Sequence, residues 1–220
     1  MKLAVLVSGR GSNLAAILEA GVPVELVVCN VPEAPAIQIA ADHHVPVYLQ
    51  PRPAEAGGRA ARDQLLVDEL RRRDIGLLAL AGYNQILSES VVDAYPGRIV
   101  NVHPSLLPAF VGGMAPVPQR QALEQGVKVS GCTVHLVTRE VDAGPILAQA
   151  TVPVLPDDTV ESLSQRILAQ EHRLLPEVLR ELLAQTLGMP IAGGNTRDTI
   201  AAEPLYCEQE VSEWTHDGGQ

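Results

Sequence analysis

The chain has 220 residues, which suits one large α/β domain or a domain with an appendage, and 46% of them are hydrophobic. Only 3% are aromatic, so the core must be built from Val, Leu, Ile and Ala. A formal net charge of -10 argues against a nucleic-acid-binding protein, because neutralising phosphates needs a basic face.

Lys2 to Val7 is a short apolar run that predicts a strand. It ends in Ser8-Gly9-Arg10-Gly11-Ser12-Asn13, and a helix pattern follows with Leu14, Ile17 and Leu18 on one face. Val24 to Cys29 predicts a second strand, Ala34 to His43 a helix, and Val45 to Leu49 a third strand. Arg59 to Arg73 predicts an amphipathic helix with Leu65, Leu66 and Leu70 inward. Ile75 to Leu80 is a fourth strand and Arg98 to Val102 a fifth. Strands alternating with helices predict a mostly parallel sheet with right-handed crossovers. Val127 to Val137 and Ile146 to Val154 are also strand-like. Thr159 to Leu187 is a long helical pattern with Asp158 or Thr159 as N-cap, and Pro176 should kink or split it. The domain is therefore expected over residues 1–187, followed by an acidic tail, 188–220, that has no Lys or Arg after Arg197. Tyr206 and Trp214 are its candidates for docking on the body.

The apolar run at the N-terminus is too short for a signal peptide, and no stretch is long and apolar enough to cross a membrane. Cys29, Cys132 and Cys207 are odd in number and lack metal-site spacing, which suits inert thiols in a reducing compartment. A cytoplasmic protein without a catalytic metal is the expectation.

The chemistry concentrates in Asn101-Val102-His103-Pro104-Ser105-Leu106-Leu107-Pro108 and in Asp142 of Glu140-Val141-Asp142-Ala143-Gly144-Pro145. At a strand terminus, Asn101 and His103 share a face, and Pro104 stops the strand. Amide, imidazole and carboxylate together can stabilise an oxyanion, move a proton and orient the imidazole. Ser105 sits in no nucleophile-elbow motif, so direct attack by a substrate nucleophile is more economical than an acyl-enzyme. His135, within a predicted strand, reads as a hydrogen-bonded core histidine. His43 and His44 suit a helix end, and His172 and His216 have no evident partner. The loop from Ser8 to Asn13 presents backbone amides and a helix N-terminus to an anion, with Ser12 or Asn13 as N-cap. Leu14 stands where a dinucleotide motif needs its third glycine, and Asn30 where it needs an acid, so a monophosphate fits better.

These residues, with Leu80-Ala81-Gly82-Tyr83, Ile86-Leu87-Ser88, Gly131-Cys132-Thr133-Val134-His135 and Gln170-Glu171-His172, resemble the glycinamide ribonucleotide formyltransferase family from Met1 to about Leu183. The Asn-x-His-Pro-Ser-Leu-Leu-Pro and Asp-x-Gly parts belong to the wider formyl-folate family. The Ser-Gly-x-Gly-Ser-Asn loop points to the glycinamide ribonucleotide branch. The resemblance implies a Rossmann-like open sheet, mostly parallel, flanked by helices, with antiparallel strands near its C-terminal end. It implies formyl transfer from 10-formyltetrahydrofolate to the amine of glycinamide ribonucleotide in purine synthesis, by a monomer or homodimer. Gly11, Ser12 and Asn13 would then hold the phosphate, and Glu171 the ribose or glycyl part. Asn84, Gln85, Ile86, Leu87, Val91, Val92 and Ile99 would line the folate pocket, with Asn101, Val141 and the backbone of 138–142 at the pterin. Asn101 and His103 would donate to the oxyanion, and Asp142 would orient His103 and shuttle protons.

The chain departs from the family at Gln85, where Arg is frequent, and at Leu136, where an aromatic is. The loop Phe110 to Pro118 is longer and richer in proline, and lacks the histidines of some relatives. A formyltetrahydrofolate hydrolase would share the trio but usually adds an N-terminal regulatory domain, which the strand starting at residue 2 leaves no room for. A methionyl-tRNA formyltransferase would add a basic C-terminal domain where this chain is acidic. A folate- or nucleotide-binding module without catalysis is the reading from another class.

Overall fold

A computed structural model describes residues 1–186. The acidic tail, Tyr206, Trp214, Cys207 and His216 lie outside the described residues. Seven strands form one sheet: β1 (Lys2–Val7), β2 (Leu26–Cys29), β3 (Val47–Leu49), β4 (Ile75–Leu80), β5 (Ile99–His103), β6 (Val129–Leu136) and β7 (Ile146–Pro153). Their spatial order is β3-β2-β1-β4-β5-β6-β7. The first five run parallel; β6 is antiparallel to β5, and β7 to β6. The sheet is therefore mostly parallel with antiparallel strands at its C-terminal side, as the resemblance implies.

The parallel strands read as continuous apolar runs because both faces are covered. Along β1, Leu3, Val5 and Val7 enter one core cluster while Ala4 and Leu6 enter the other. The first layer contains α1 (Ser12–Glu19), α2 (Pro35–Asp42), α6 (Val117–Glu124) and α7 (Val160–Thr186), the second α4 (Arg59–Arg72) and α5 (Glu89–Ala94). The short helix α3 (Pro53–Ala56) leads into α4. Apolar periodicity marks none of α3, α5 and α6; α3 and α5 have only 4 and 6 residues.

Two expectations change. In α4 the inward residues are Leu66, Val67 and Leu70, while Leu65 is 45% exposed. The buried stripe instead takes in Arg62 and Asp63, which pair at 2.8 Å through Nε and Oδ1. The long C-terminal helix is not split: α7 runs as one element through Pro176. A proline inside a helix costs about 3 kcal/mol, but Leu163, Ile167, Leu174, Leu175, Val178, Leu179 and Leu183 are all buried against the sheet, and burial of each such side chain contributes about 1.5–3 kcal/mol. Packing therefore outweighs the broken turn. At its start, Thr159 Oγ1 accepts the Ser162 N–H at 3.2 Å and Ser162 Oγ accepts the Thr159 N–H at 3.0 Å, which makes Thr159 the N-cap of a reciprocal capping pair. Asp158 is instead tied to Arg166, which holds its carboxyl below the usual carboxylate range.

Candidate active site

The chain's order along the sheet reverses between β1 and β4, the switch point at which open α/β sheets leave a crevice beyond the strand ends. A cavity of about 660 Å³ lies there. Its walls come from the loops after β1, β4 and β5, from the loop between β6 and β7, and from Leu168 and Glu171 of α7.

At one end, β1 delivers the chain into Ser8-Gly9-Arg10-Gly11. Gly11 is the N-cap of α1, with φ 78°, so the helix starts earlier than a Ser12 or an Asn13 cap would place it. Ser12 and Asn13 are its first helical residues, and no side chain caps it. A Cβ on Gly11 would lie 2.7 Å from Ala36 Cβ, so glycine is demanded by both conformation and space. Asn13 Nδ2 donates to Glu171 Oε2 at 2.8 Å across the interface of α1 and α7. Burial raises the Glu171 carboxyl to about 7, against that hydrogen bond, which lowers it.

At the centre, β5 carries Asn101 and His103 on one face, as strand alternation predicts. The β5–β6 register sets Asn101 opposite His135 and His103 opposite Thr133. His135 Nδ1 lies 3.0 Å from the Leu136 carbonyl, and its Nε2 lies 3.1 Å from Asn101 Nδ2. A carbonyl only accepts, so Nδ1 carries the proton and Nε2 accepts one Asn101 hydrogen, leaving the other for a ligand. Burial lowers the pKa of His135, which agrees with a neutral ring. His135 is buried, as expected of a hydrogen-bonded core histidine, but it also holds the amide of Asn101 in place.

Asp142 meets both histidines: Oδ2 is 3.3 Å from His103 Nδ1, and Oδ1 is 3.7 Å from His135 Nε2. The Gly112 N–H donates to Oδ2 at 2.8 Å. Asp142 has φ 55°, in the left-handed region that side chains seldom occupy. The turn is held by Gly144, where a Cβ would stand 1.9 Å from the Leu136 carbonyl oxygen. His103 Nε2 lies 3.0 Å from the Phe110 carbonyl, so the Pro/Gly-rich loop touches two of the three central groups.

The turn after His103 is fixed from below. Thr133 Oγ1 donates to the Ser105 carbonyl at 2.7 Å and accepts the Leu107 N–H at 3.0 Å, while Gln149 Nε2 donates to the Leu107 carbonyl at 3.0 Å. Ser105 is buried and donates to the Ala109 carbonyl at 2.5 Å, a structural hydroxyl rather than a nucleophile. The supports from Thr133 and Gln149 come from 26 to 42 positions away, which no local motif announces.

At the other end, Asn84, Gln85, Ile86, Leu87 and Val141 line the cavity, together with Met114 and residues 137–140. Ile86 is 63% exposed and Val141 51%, an apolar rim open to a ligand. Val91, Val92 and Ile99 do not reach it: they are buried in the second core cluster, beneath this wall. Gln85 Oε1 accepts from Arg62 Nη1 at 3.2 Å. An arginine at 85 would bring a second guanidinium against Arg62, which gives a physical reason for the neutral residue. Among the described residues no group of three or more His, Cys, Asp and Glu is placed to hold a metal ion, and no helix is long and apolar enough to cross a membrane.

The sequence model of the formyl transferase family matches residues 1–179. The chain is 40% identical to phosphoribosylglycinamide formyltransferase of Bacillus subtilis, over 83% of this chain and 94% of that protein. It is 41% identical to the trifunctional purine biosynthetic protein adenosine-3 of Drosophila melanogaster over 84% of this chain, a span that covers 14% of that longer protein. The structure superposes with a TM-score of 0.78 on glycinamide ribonucleotide transformylase 1 from Symbiobacterium toebii, 44% identical over 84% of this chain and 88% of the other.

Proposed function

The chain belongs to the formyl transferase family, and from that premise we propose that it transfers a formyl group to the primary amine of glycinamide ribonucleotide, giving formylglycinamide ribonucleotide in purine synthesis. The donor we assign is a reduced folate, 10-formyltetrahydrofolate. One observation carries this reading: a single cavity joins an uncapped helix N-terminus to an Asn–His–Asp cluster and then to an apolar rim. A nucleotide phosphate suits the first, an acyl-transfer oxyanion the second, and a flat heterocycle the third. The exposed Ile86 and Val141, with the backbone of 138–142, fit a pterin's need for apolar faces and polar edges. Buried free thiols at Cys29 and Cys132 fit the reducing cytoplasm to which we assign the reaction.

The neutral amine attacks the formyl carbon, forming a C–N bond while the formyl oxygen becomes an oxyanion. Asn101 Nδ2 donates the hydrogen that His135 does not use. His103 donates from the ring nitrogen now facing Phe110, the formyl oxygen replacing that carbonyl. Asp142 holds His103 from the other nitrogen and, through water, accepts a proton from the attacking ammonium. Collapse breaks the bond to the folate nitrogen, which leaves with that proton. No covalent enzyme intermediate is required, in keeping with the buried, internally bonded Ser105.

The test is turnover of 10-formyltetrahydrofolate by the purified protein, with and without glycinamide ribonucleotide, read by absorbance and by the mass of the product. Turnover that requires the nucleotide and falls at least 10³-fold in Asp142→Asn, an order of magnitude typical of loss of a proton-transfer group, supports the reading. Equal consumption without the nucleotide makes the protein a hydrolase, and no consumption leaves a binding module.

A further inference from the structure

The residue at the variable position of the Ser-Gly-x-Gly-Ser-Asn loop is Arg10, and we propose that its guanidinium completes the phosphate site, reading the dianion from the solvent side while the α1 amides hold it from below. The inference rests on the formyl-transfer reading above and names a residue that reading does not use. Arg10 lies one residue before the N-cap of α1 and lines the same cavity as Asn13 and Glu171. Its backbone is held firmly. The Ala36 N–H donates to the Gly9 carbonyl at 3.2 Å, and Gly11 is pressed against Ala36 of α2. Arg10 itself is exposed and lines the cavity, so its side chain is available there on a fixed base.

Charge supports the same role. Glu140, Asp142 and Glu171 line the cavity, in a chain of net charge -10. Two arginines line it as well. Arg139 is engaged with Asp93 at 2.7 Å and with Glu89 at 3.4 Å. Arg10 makes no ion pair among the described residues. An anionic substrate approaching this acidic protein therefore meets one free guanidinium, placed beside unshared helix amides.

A second observation marks this end as a ligand site. Asn13 is buried, its Nδ2 is bound to Glu171, and its Oδ1 has no partner among the described residues. A buried acceptor without a donor costs free energy that a bound hydroxyl or amine recovers. An anion held by Arg10 and the α1 amides, attached to a hydroxyl-bearing ring over Asn13 and Glu171, is the chemistry of a sugar monophosphate. A guanidinium offers two parallel N–H donors to such a dianion, which an amide loop alone does not.

The experiment compares glycinamide ribonucleotide with its dephosphorylated riboside as substrates for the wild-type protein, Arg10→Ala and Arg10→Lys. In Arg10→Ala the KM for the nucleotide should rise roughly tenfold, the scale of one charge-assisted contact at an open site, with kcat held. The riboside should be used equally well by wild type and Arg10→Ala, and Arg10→Lys should recover part of the loss. The penalty should also shrink as salt is raised. An equal effect on both substrates, or none on the nucleotide, overturns the role of Arg10. If the wild-type protein formylates neither amine, the formyl-transfer reading fails instead. Calorimetric binding of ribose 5-phosphate to wild type and Arg10→Ala then decides the inference: a roughly tenfold weaker complex upholds it, and equal affinities reject it.

Discussion

Glu171 is buried between α7 and α1, and enclosure lifts its carboxyl from the ordinary 4.5 to about 7. The native state therefore binds this proton more tightly than the unfolded chain does. Its contribution to stability is complete below about pH 4.5 and is lost as pH rises through about 7. At about 1.4 kcal/mol per pH unit the full loss is about 3 kcal/mol, most of it between pH 5 and 8. Glu171→Gln keeps the length of the side chain and an oxygen to accept from Asn13 Nδ2, but it does not titrate. Urea unfolding followed by circular dichroism, for both proteins from pH 5 to pH 8, measures the difference directly. Relative to the glutamine variant, the wild-type protein should lose about 2–3 kcal/mol over that range, or about 4–12 °C in thermal midpoint for a chain of this size. Curves that stay parallel within about 0.5 kcal/mol, the scatter of ordinary surface substitutions, refute the idea that this carboxyl is held protonated by burial.

Asn101→Ala removes a donor from the oxyanion position and should lower kcat by about 10²–10³ while the KM for either substrate changes little, as steady-state kinetics will read. His135→Phe keeps a buried ring but leaves the Asn101 amide without its anchor, so kcat should fall by up to about 10² through misplacement alone. Because burial lowers the pKa of His135, the neutral ring that holds Asn101 persists to below the ordinary imidazole range. A pH–rate profile should therefore show no acid limb from this residue near pH 6.5, the ordinary value. Gly144→Ala drives a Cβ into the Leu136 carbonyl and should cost about 1–3 kcal/mol in thermal unfolding, with activity falling further because the Asp142 turn must shift.

The parallel half of the fold was legible because its strands, covered on both faces, are written as apolar runs such as residues 3–7 of β1 and Ile75–Leu80. That Asn101, His103 and Asp142 line one cavity was legible in part, since a polar pair before a proline at a strand end has few structural uses. What stayed hidden was set by long-range register. His135 reads as any apolar-face histidine until β6 turns antiparallel and lies Asn101 to His135 across β5. Leu65 read as inward because a leucine at helical spacing normally is. The buried pair of Arg62 and Asp63 rotates that stripe, and a paired charge in a core leaves no trace in hydrophobic periodicity. The N-cap of α1 was misplaced for a similar reason. Ser12 and Asn13 are good caps, but the close approach of Ala36 selects Gly11.

The change of strand direction at β5 is what assembles the central cluster. A parallel neighbour would enter beside β5 from the same end, and its crossover would bring a helix onto the face of the sheet. An antiparallel β6 instead leaves the sheet beside the start of β5, after its C-terminal half has laid Thr133 against His103 and His135 against Asn101. The short return to β7 then carries Asp142 back over the strand, within reach of both imidazoles. The β1 and β4 loops, by contrast, rely on parallel packing, which stacks both at one edge and leaves helix α1 pointing its N-terminus into the gap. On the proposed reading, anion recognition would then rest on the loop after β1, and proton chemistry on β5 with the β6–β7 loop. Substitutions at Gly11 and at Gly144 should accordingly separate: the first should act on nucleotide affinity and the second on turnover, a division that KM and kcat measured on Gly11→Ala and Gly144→Ala will reveal.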